Sequence, residues 1–145
     1  MNGMEVVDVL SPPVPSTSIS FGDSLALRSD GEKLYVDAIG YAQPSPNAGA
    51  LHVFSKSGDI WNASEIQQAH TPTKGQQFGC TLNLAEETSI LTVSTLDDGV
   101  YLYAVDHLEA PLDVLSIPNA TTFATAMDIQ GNAGIVIGPR EEHVI

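Results

Sequence analysis

Few residues of this chain are spaced for chemistry. The four histidines, His52, His70, His107 and His143, stand singly, without the close spacings by which imidazoles share a metal ion. Ser29-Asp30-Gly31 and Asp97-Asp98-Gly99 are acidic turns whose carboxylates (Asp30, Asp97, Asp98) and loop carbonyls suit a hard cation such as calcium. Each turn brings only one or two carboxylates, and Asp-Gly is also what a tight hairpin requires. Hairpin chemistry is therefore the favoured reading, and any calcium bound there is expected to be weak and structural. Asp106-His107-Leu108-Glu109 sets an acid beside an imidazole, but within one compact polar loop. Cys80 is the single cysteine, so an internal disulfide is excluded, and the expectation is a half-buried structural thiol. Gly-x-Ser-x-Gly, a phosphate loop and Cys-x-x-Cys are all absent from the sequence. The chain reads as non-enzymatic, with no cofactor required.

Recognition chemistry is better represented. Tyr41 lies in the loop Tyr41 to Asn47 beside Pro44 and Pro46, where an exposed aromatic on a rigid loop is a candidate contact. Trp61 is the second candidate. Tyr101 and Tyr103 share one face of a strand and read as core. Eighteen Asp and Glu against five Lys and Arg give a net charge of −13. That balance disfavours nucleic acid and anionic membrane surfaces. No apolar run reaches the ~20 residues of a helical membrane span. The start, Met1-Asn2-Gly3-Met4-Glu5, lacks the pattern of a signal peptide. Asn62-Ala63-Ser64 and Asn119-Ala120-Thr121 match the glycosylation acceptor pattern, which carries meaning only in a secretory pathway.

The elements that must position these residues are strands. No segment sustains a capped helical period, and Gly and Pro recur throughout. Alternating stretches separated by turn signals place strands at Ile19 to Leu27, Leu34 to Ile39, Ala48 to Ser55, from Ile60-Trp61 onward, Gln77 to Leu84, Ser89 to Thr95, Val100 to Val105, Leu112 to Ile117, Thr122 to Ile129 and Gly134 to Gly138. An N-terminal strand is expected over residues 5–10.

The strands repeat. Phe21-Gly22-Asp23-Ser24-Leu25-Ala26-Leu27 is answered by Phe78-Gly79-Cys80-Thr81-Leu82-Asn83-Leu84, and more faintly by Phe123-Ala124-Thr125-Ala126-Met127-Asp128-Ile129. Val7-Asp8-Val9-Leu10-Ser11-Pro12-Pro13 is likewise answered by Leu112-Asp113-Val114-Leu115-Ser116-Ile117-Pro118. Recurrence of short strands at about 40–50 residues is the mark of a β-propeller or related array. The repeats run over about 19–68, 76–117 and 121–138 within a single domain, 1–145. The expected fold is all-β, with antiparallel four-stranded blades of a β-propeller, incomplete in one chain. Unpaired edges at both ends predict self-association.

Phe21-Gly22, Leu34-Tyr35-Val36, Ala48-Gly49-Ala50-Leu51-His52-Val53-Phe54 and Ile60-Trp61 together resemble an FG-GAP repeat, the blade unit of the integrin α-subunit propeller and of many bacterial and viral surface proteins. Asp98-Gly99-Val100-Tyr101-Leu102-Tyr103 stands for the third strand of the second repeat. Asp37-Ala38-Ile39-Gly40 departs from the family's Gly-Ala-Pro, and the calcium loop Asp-x-Asp-x-Asp-Gly-x-x-Asp is absent, so calcium binding carries over to no residue. The resemblance implies a protein-binding or assembly module at a virion or extracellular surface. A virion surface protein of the spike, fibre or capsid-decorating kind is the first expectation, with itself or neighbouring structural subunits as partners. A fragment of a larger extracellular adhesion protein is the alternative.

Overall fold

In the computed structural model of the chain, residues 3, 6, 8–13, 19–96 and 99–116 are described, together with the backbone of 126–130 and 133–137. Every regular element among them is a β-strand. Strands β1 (Phe21–Leu27), β2 (Lys33–Ala38), β3 (Ala50–Ser57) and β4 (Ile60–Gln67) form one antiparallel four-stranded meander. A second consists of β5 (Leu82–Ala85), β6 (Ile90–Ser94), β7 (Val100–Ala104) and β8 (Asp113–Leu115). β9 (Ala126–Gln130) and β10 (Ala133–Ile137) pair as an antiparallel hairpin, and β9 lies against β5.

Local chemistry explains the strand ends. Between β1 and β2 the chain reverses with Gly31 at φ 72°, closed by Gly31 N–H to the Arg28 carbonyl at 2.9 Å. The Asp30 carboxylate accepts from Glu32 N at 2.9 Å, an Asx-type turn. Gly58, at φ 61°, reverses the chain between β3 and β4. A bulge in β4 sets Ser64 outside the pairing, since Val53 faces Glu65 and Phe54 faces Ala63. Its hydroxyl donates to the Val53 carbonyl at 3.0 Å. The extra residue switches strand parity, so Trp61 and Ile66 reach the same face.

Cross-strand registers define two faces per sheet. In the first sheet Leu25, Val36 and His52 share one face, whereas Ala26, Tyr35 and Val53 share the other. The second face packs on Leu82, Leu91, Val93, Tyr101 and Tyr103 of the second sheet in one core cluster, together with Phe78. Polar bonds stitch the two sheets. Tyr35 Oη donates to the buried Val105 carbonyl at 2.8 Å, and Leu82 N donates to Ser24 Oγ at 2.9 Å. At the edge, Asp106 meets Arg28 and Lys33, each at 3.2 Å. On the far side of the second sheet Thr92, Ser94 and Val100 are fully buried.

The internal repeat is visible in the ring geometry. Phe21 meets His52 edge-on at 5.5 Å and 78°, and Phe78 meets Tyr101 at 5.6 Å and 78°. Phe21 also meets Phe54 at 6.1 Å, and Phe78 meets Tyr103 at 6.3 Å. His52 and Phe54 of β3 thus stand to the first sheet as Tyr101 and Tyr103 of β7 stand to the second.

Two strand expectations are corrected. The strand expected over Gln77 to Leu84 begins only at Leu82. Gln77 and Gly79 adopt φ of 51° and 102°, which bends the chain so that the Phe78 ring enters the core. In the expected N-terminal strand, Val6 and residues 8–10 join no ladder, and Val6 and Val9 are 81% and 78% exposed. Strand propensity is expressed only where a neighbouring edge is available to pair. Phe123 lies outside the described residues.

Phe78→Ala is expected to cost about 3–5 kcal/mol in urea denaturation, the range for large aromatic deletions in a core. Phe21→Ala, at the same repeat position but half-buried, should cost clearly less. Equal losses, or a loss below ~1 kcal/mol at Phe78, would contradict the assigned packing.

Candidate functional site

One face of the first sheet is only partly covered: Val36, His52 and Phe54 are buried there, whereas Leu25 and Leu27 of β1 stay exposed. Leu25 and Leu82 hold the same repeat position, yet Leu25 is 58% exposed and Leu82 is 7% exposed. The difference follows from the stacking. The face carrying Leu82 lies against the first sheet, whereas no described element of comparable size lies on the face carrying Leu25. Phe21, Leu25, Leu27, Leu34, Val36 and Trp61 line a depression of about 430 Å³ there, with Asp8 and Leu10 of the N-terminal segment at its margin. Ile66 extends the same face from β4, 41% exposed.

Trp61, a candidate from the sequence, stands on this face through the β4 bulge. Tyr41, the other, is half-buried, with its ring edge-on to His52 at 6.1 Å and 83°. It joins the face through His52, which touches Phe21 as well. Asp30 is engaged with Arg28 at 2.9 Å. Asp97 and Asp98 lie outside the described residues, and none of the described residues form a group of three or more His, Cys, Asp or Glu able to hold a metal ion. Cys80 is half-buried, its thiol pushed up by burial and by the Asp37 carboxylate. None of the described helices is long and apolar enough to cross a membrane, because the described elements are all strands.

Two buried titratable groups went unnoticed in the sequence. Asp37 is fully buried in β2. One carboxylate oxygen accepts from Gly22 N at 3.1 Å and Ser24 N at 2.8 Å, and the other has no partner. Burial pushes its pKa up from 3.8 to about 6, against the lowering effect of those N–H donors. His52 is buried in β3, neither ring nitrogen has a partner, and burial lowers its pKa. The repeat singled out the positions of Leu25 and Leu27, which copy Leu82 and Leu84, but not their exposure. The buried carboxylate had no such signal. Comparison with family models, with curated proteins and with solved structures finds no match for this chain.

This arrangement offers an exposed apolar patch and no metal cluster among the described residues, and the acid–imidazole pair expected in the Asp106 to Glu109 loop forms only at the surface, His107 Nδ1 lying 3.4 Å from Glu109 Oε1 with both side chains exposed. The two buried groups predict opposing pH effects. Asp37 is easier to protonate folded than unfolded, so its contribution is full below pH 3.8 and is lost as pH rises to about 6. The loss is on the order of 3 kcal/mol at full burial. His52 acts the other way, because stability present above pH 6.5 is lost as acid forces the buried imidazole to charge. In the wild type the two effects on the urea midpoint therefore oppose one another between about pH 4 and 6.5. Asp37→Asn should expose the acid-side loss, and His52→Phe should expose the loss toward neutral pH. Identical profiles in all three proteins would refute both assignments.

Proposed function

We propose that this chain is a non-enzymatic assembly module of a structural protein, its sheets being blades of an FG-GAP-type propeller, and that the partly covered face of the first sheet receives a second copy of the chain. The observation that carries this reading is the repeat position shared by Leu25 and Leu82, open in one sheet and covered in the other. The sheets form a series. The β9–β10 hairpin lies against the second sheet, and the second sheet lies on the first. The first sheet then presents the same type of face that its successor buries, with the same ring clamp, and Leu25 and Leu27 on it are exposed. A sheet of the same chain has the matching shape, because that pairing already occurs once within the molecule.

The β9–β10 hairpin of another copy is the fitting occupant. It has two strands, a size marginally stable alone, and both outer edges lack a described partner. Such a module suits the spike, fibre or capsid-decorating role expected from the sequence. The alternative, a piece of a larger extracellular adhesion protein, places a preceding repeat of the same polypeptide on this face. Two copies with net charge −13 repel one another, so association should strengthen with ionic strength.

Sedimentation velocity and native mass measurement at micromolar concentration test the proposal. The wild type should run as an oligomer, more so in salt, and the emission of the single tryptophan, Trp61, should shift to the blue as concentration rises. Leu25→Asp combined with Leu27→Asp should give a monomer whose unfolding transition is little changed, since both side chains are exposed in the isolated chain. A wild type that stays monomeric in high salt would overturn self-assembly and leave the face to a preceding repeat.

A further inference from the structure

A second concavity lies apart from the apolar face, at the outer end of the junction between the two sheets. Its volume is about 650 Å³, within the range of small-molecule sites. It exists because the two fourth strands differ in length. β4 runs eight residues, whereas β8 runs only three. The short β8 leaves Tyr101 and Val114, a cross-strand pair, facing the loop that follows β4.

The floor is rigid. Tyr101 is buried, stacked on Tyr103 at 6.4 Å and 12°, and met edge-on by Phe78. Gln76 is buried too, and it braces the loop: its Oε1 accepts from Thr73 N at 3.2 Å, and its carbonyl accepts from Leu96 N at 2.8 Å. The rim carries His70, Thr71 and Thr73, all exposed, while Pro111 completes the apolar wall beside Val114.

The lining selects a chemical class. Among the described residues that line it there is no carboxylate, lysine or arginine. A cationic ligand would find no counter-charge among the described lining residues, and an anionic one would meet a protein of net charge −13. A wholly apolar ligand would strip water from the rim hydroxyls without replacing their hydrogen bonds. What remains is a neutral ligand with an apolar face and many hydroxyls. We infer that this cleft binds a neutral saccharide, its apolar ring face against Tyr101, Pro111 and Val114 and its hydroxyls on Thr71, Thr73 and His70.

The test is a titration of isotope-labelled chain with neutral oligosaccharides built from glucose, galactose, mannose and N-acetylglucosamine, with sialyllactose as the acidic counterpart. At least one neutral sugar should give saturable amide shifts confined to residues 70–76, Tyr101 and 111–114, with millimolar affinity. The combined variant His70→Ala and Thr73→Val, both on the exposed rim, should weaken binding about tenfold, the effect of roughly one good hydrogen bond. Val114→Trp, filling the cleft, should abolish it. Leu25→Asp, on the apolar face, should leave it unchanged, so this result does not depend on self-assembly. Absence of saturable shifts with every neutral sugar at tens of millimolar would overturn the inference. So would equal affinity for sialyllactose, or unaltered binding by the rim variant.

Discussion

The approach of Phe78 to Gly49 is the constraint on which the rest of the structure depends. The two backbones meet as an isolated parallel bridge, with Phe78 N donating to the Ala48 carbonyl at 2.8 Å and Gln77 N to the Asn47 carbonyl at 3.0 Å. A Cβ on Gly49 would lie 2.3 Å from Phe78 N, a separation no side chain tolerates, and Gly49 holds φ 83° besides. Positive φ at Asn47, Gln77 and Gly79 completes the passage. The chain leaving the first sheet is thereby pinned against the end of that sheet before β5 begins. The Phe78 ring drops between the sheets, and Tyr101 and Tyr103 close over it. The first sheet has its own copy of this clamp in Phe21, His52 and Phe54, but no described sheet is pinned to it in the same way, and Phe21 is half-buried.

A second consequence concerns how each sheet satisfies the N–H groups beside its Phe-Gly. In the second sheet the Ser94 carbonyl accepts from Gly79 N at 3.0 Å and Cys80 N at 3.1 Å. In the first sheet Asp37, the positional counterpart of Ser94, uses a side-chain oxygen to take Gly22 N and Ser24 N instead. The β1 bulge between Phe21 and Leu25 has lengthened that gap, and a carboxylate spans it where a carbonyl does not. The cost is a buried charge with one oxygen unpartnered, and desolvation raises the Asp37 pKa accordingly. Tyr35, on the same face, meets the demand of burial more completely. Its hydroxyl has the Val105 carbonyl as partner, and desolvation holds its pKa at about 12.

The all-β character and the two four-stranded meanders were legible because alternation and Gly-containing turns are local signals. Ser29-Asp30-Gly31 and Ser57-Gly58-Asp59 mark reversals that the backbone then makes. The pairing of Phe21 with Phe78 was also legible, as a repeated heptapeptide, and the equal ring geometry follows from it. Other features depend on neighbours distant in the chain. Nothing in Lys33 to Ala38 announces that Asp37 will be buried, because its partners come from a bulge in β1. Tyr41 reads as a free loop aromatic, yet His52 of β3 gives its ring an edge to pack on. The N-terminal residues have strand composition without a described edge to join. The exposure of Leu25 and Leu27 was hidden for the opposite reason: both look like core, yet no described sheet covers them.

If copies meet through the Leu25 face, as proposed, its geometry constrains the contact. The face bearing Leu25 and Phe21 is one type, and the face bearing Tyr35 and Val53 is the other. The contact between the two four-stranded sheets sets one type against the other, so a contact between copies that repeats it is heterologous. Such contacts propagate head to tail and close into a ring only when the accumulated rotation of successive sheets completes a turn. That rotation comes from the right-handed twist of the strands, which the side chains at each junction modulate. Bulky rings such as Phe78, Tyr101 and Tyr103 hold the sheets of the one resolved junction apart. The first sheet carries His52 and Phe54 in the places of Tyr101 and Tyr103, a smaller pair without hydroxyls. A junction built on it would therefore sit closer and turn by a different angle. Closure number would then be set by residues at the Leu25 face rather than by the repeat alone.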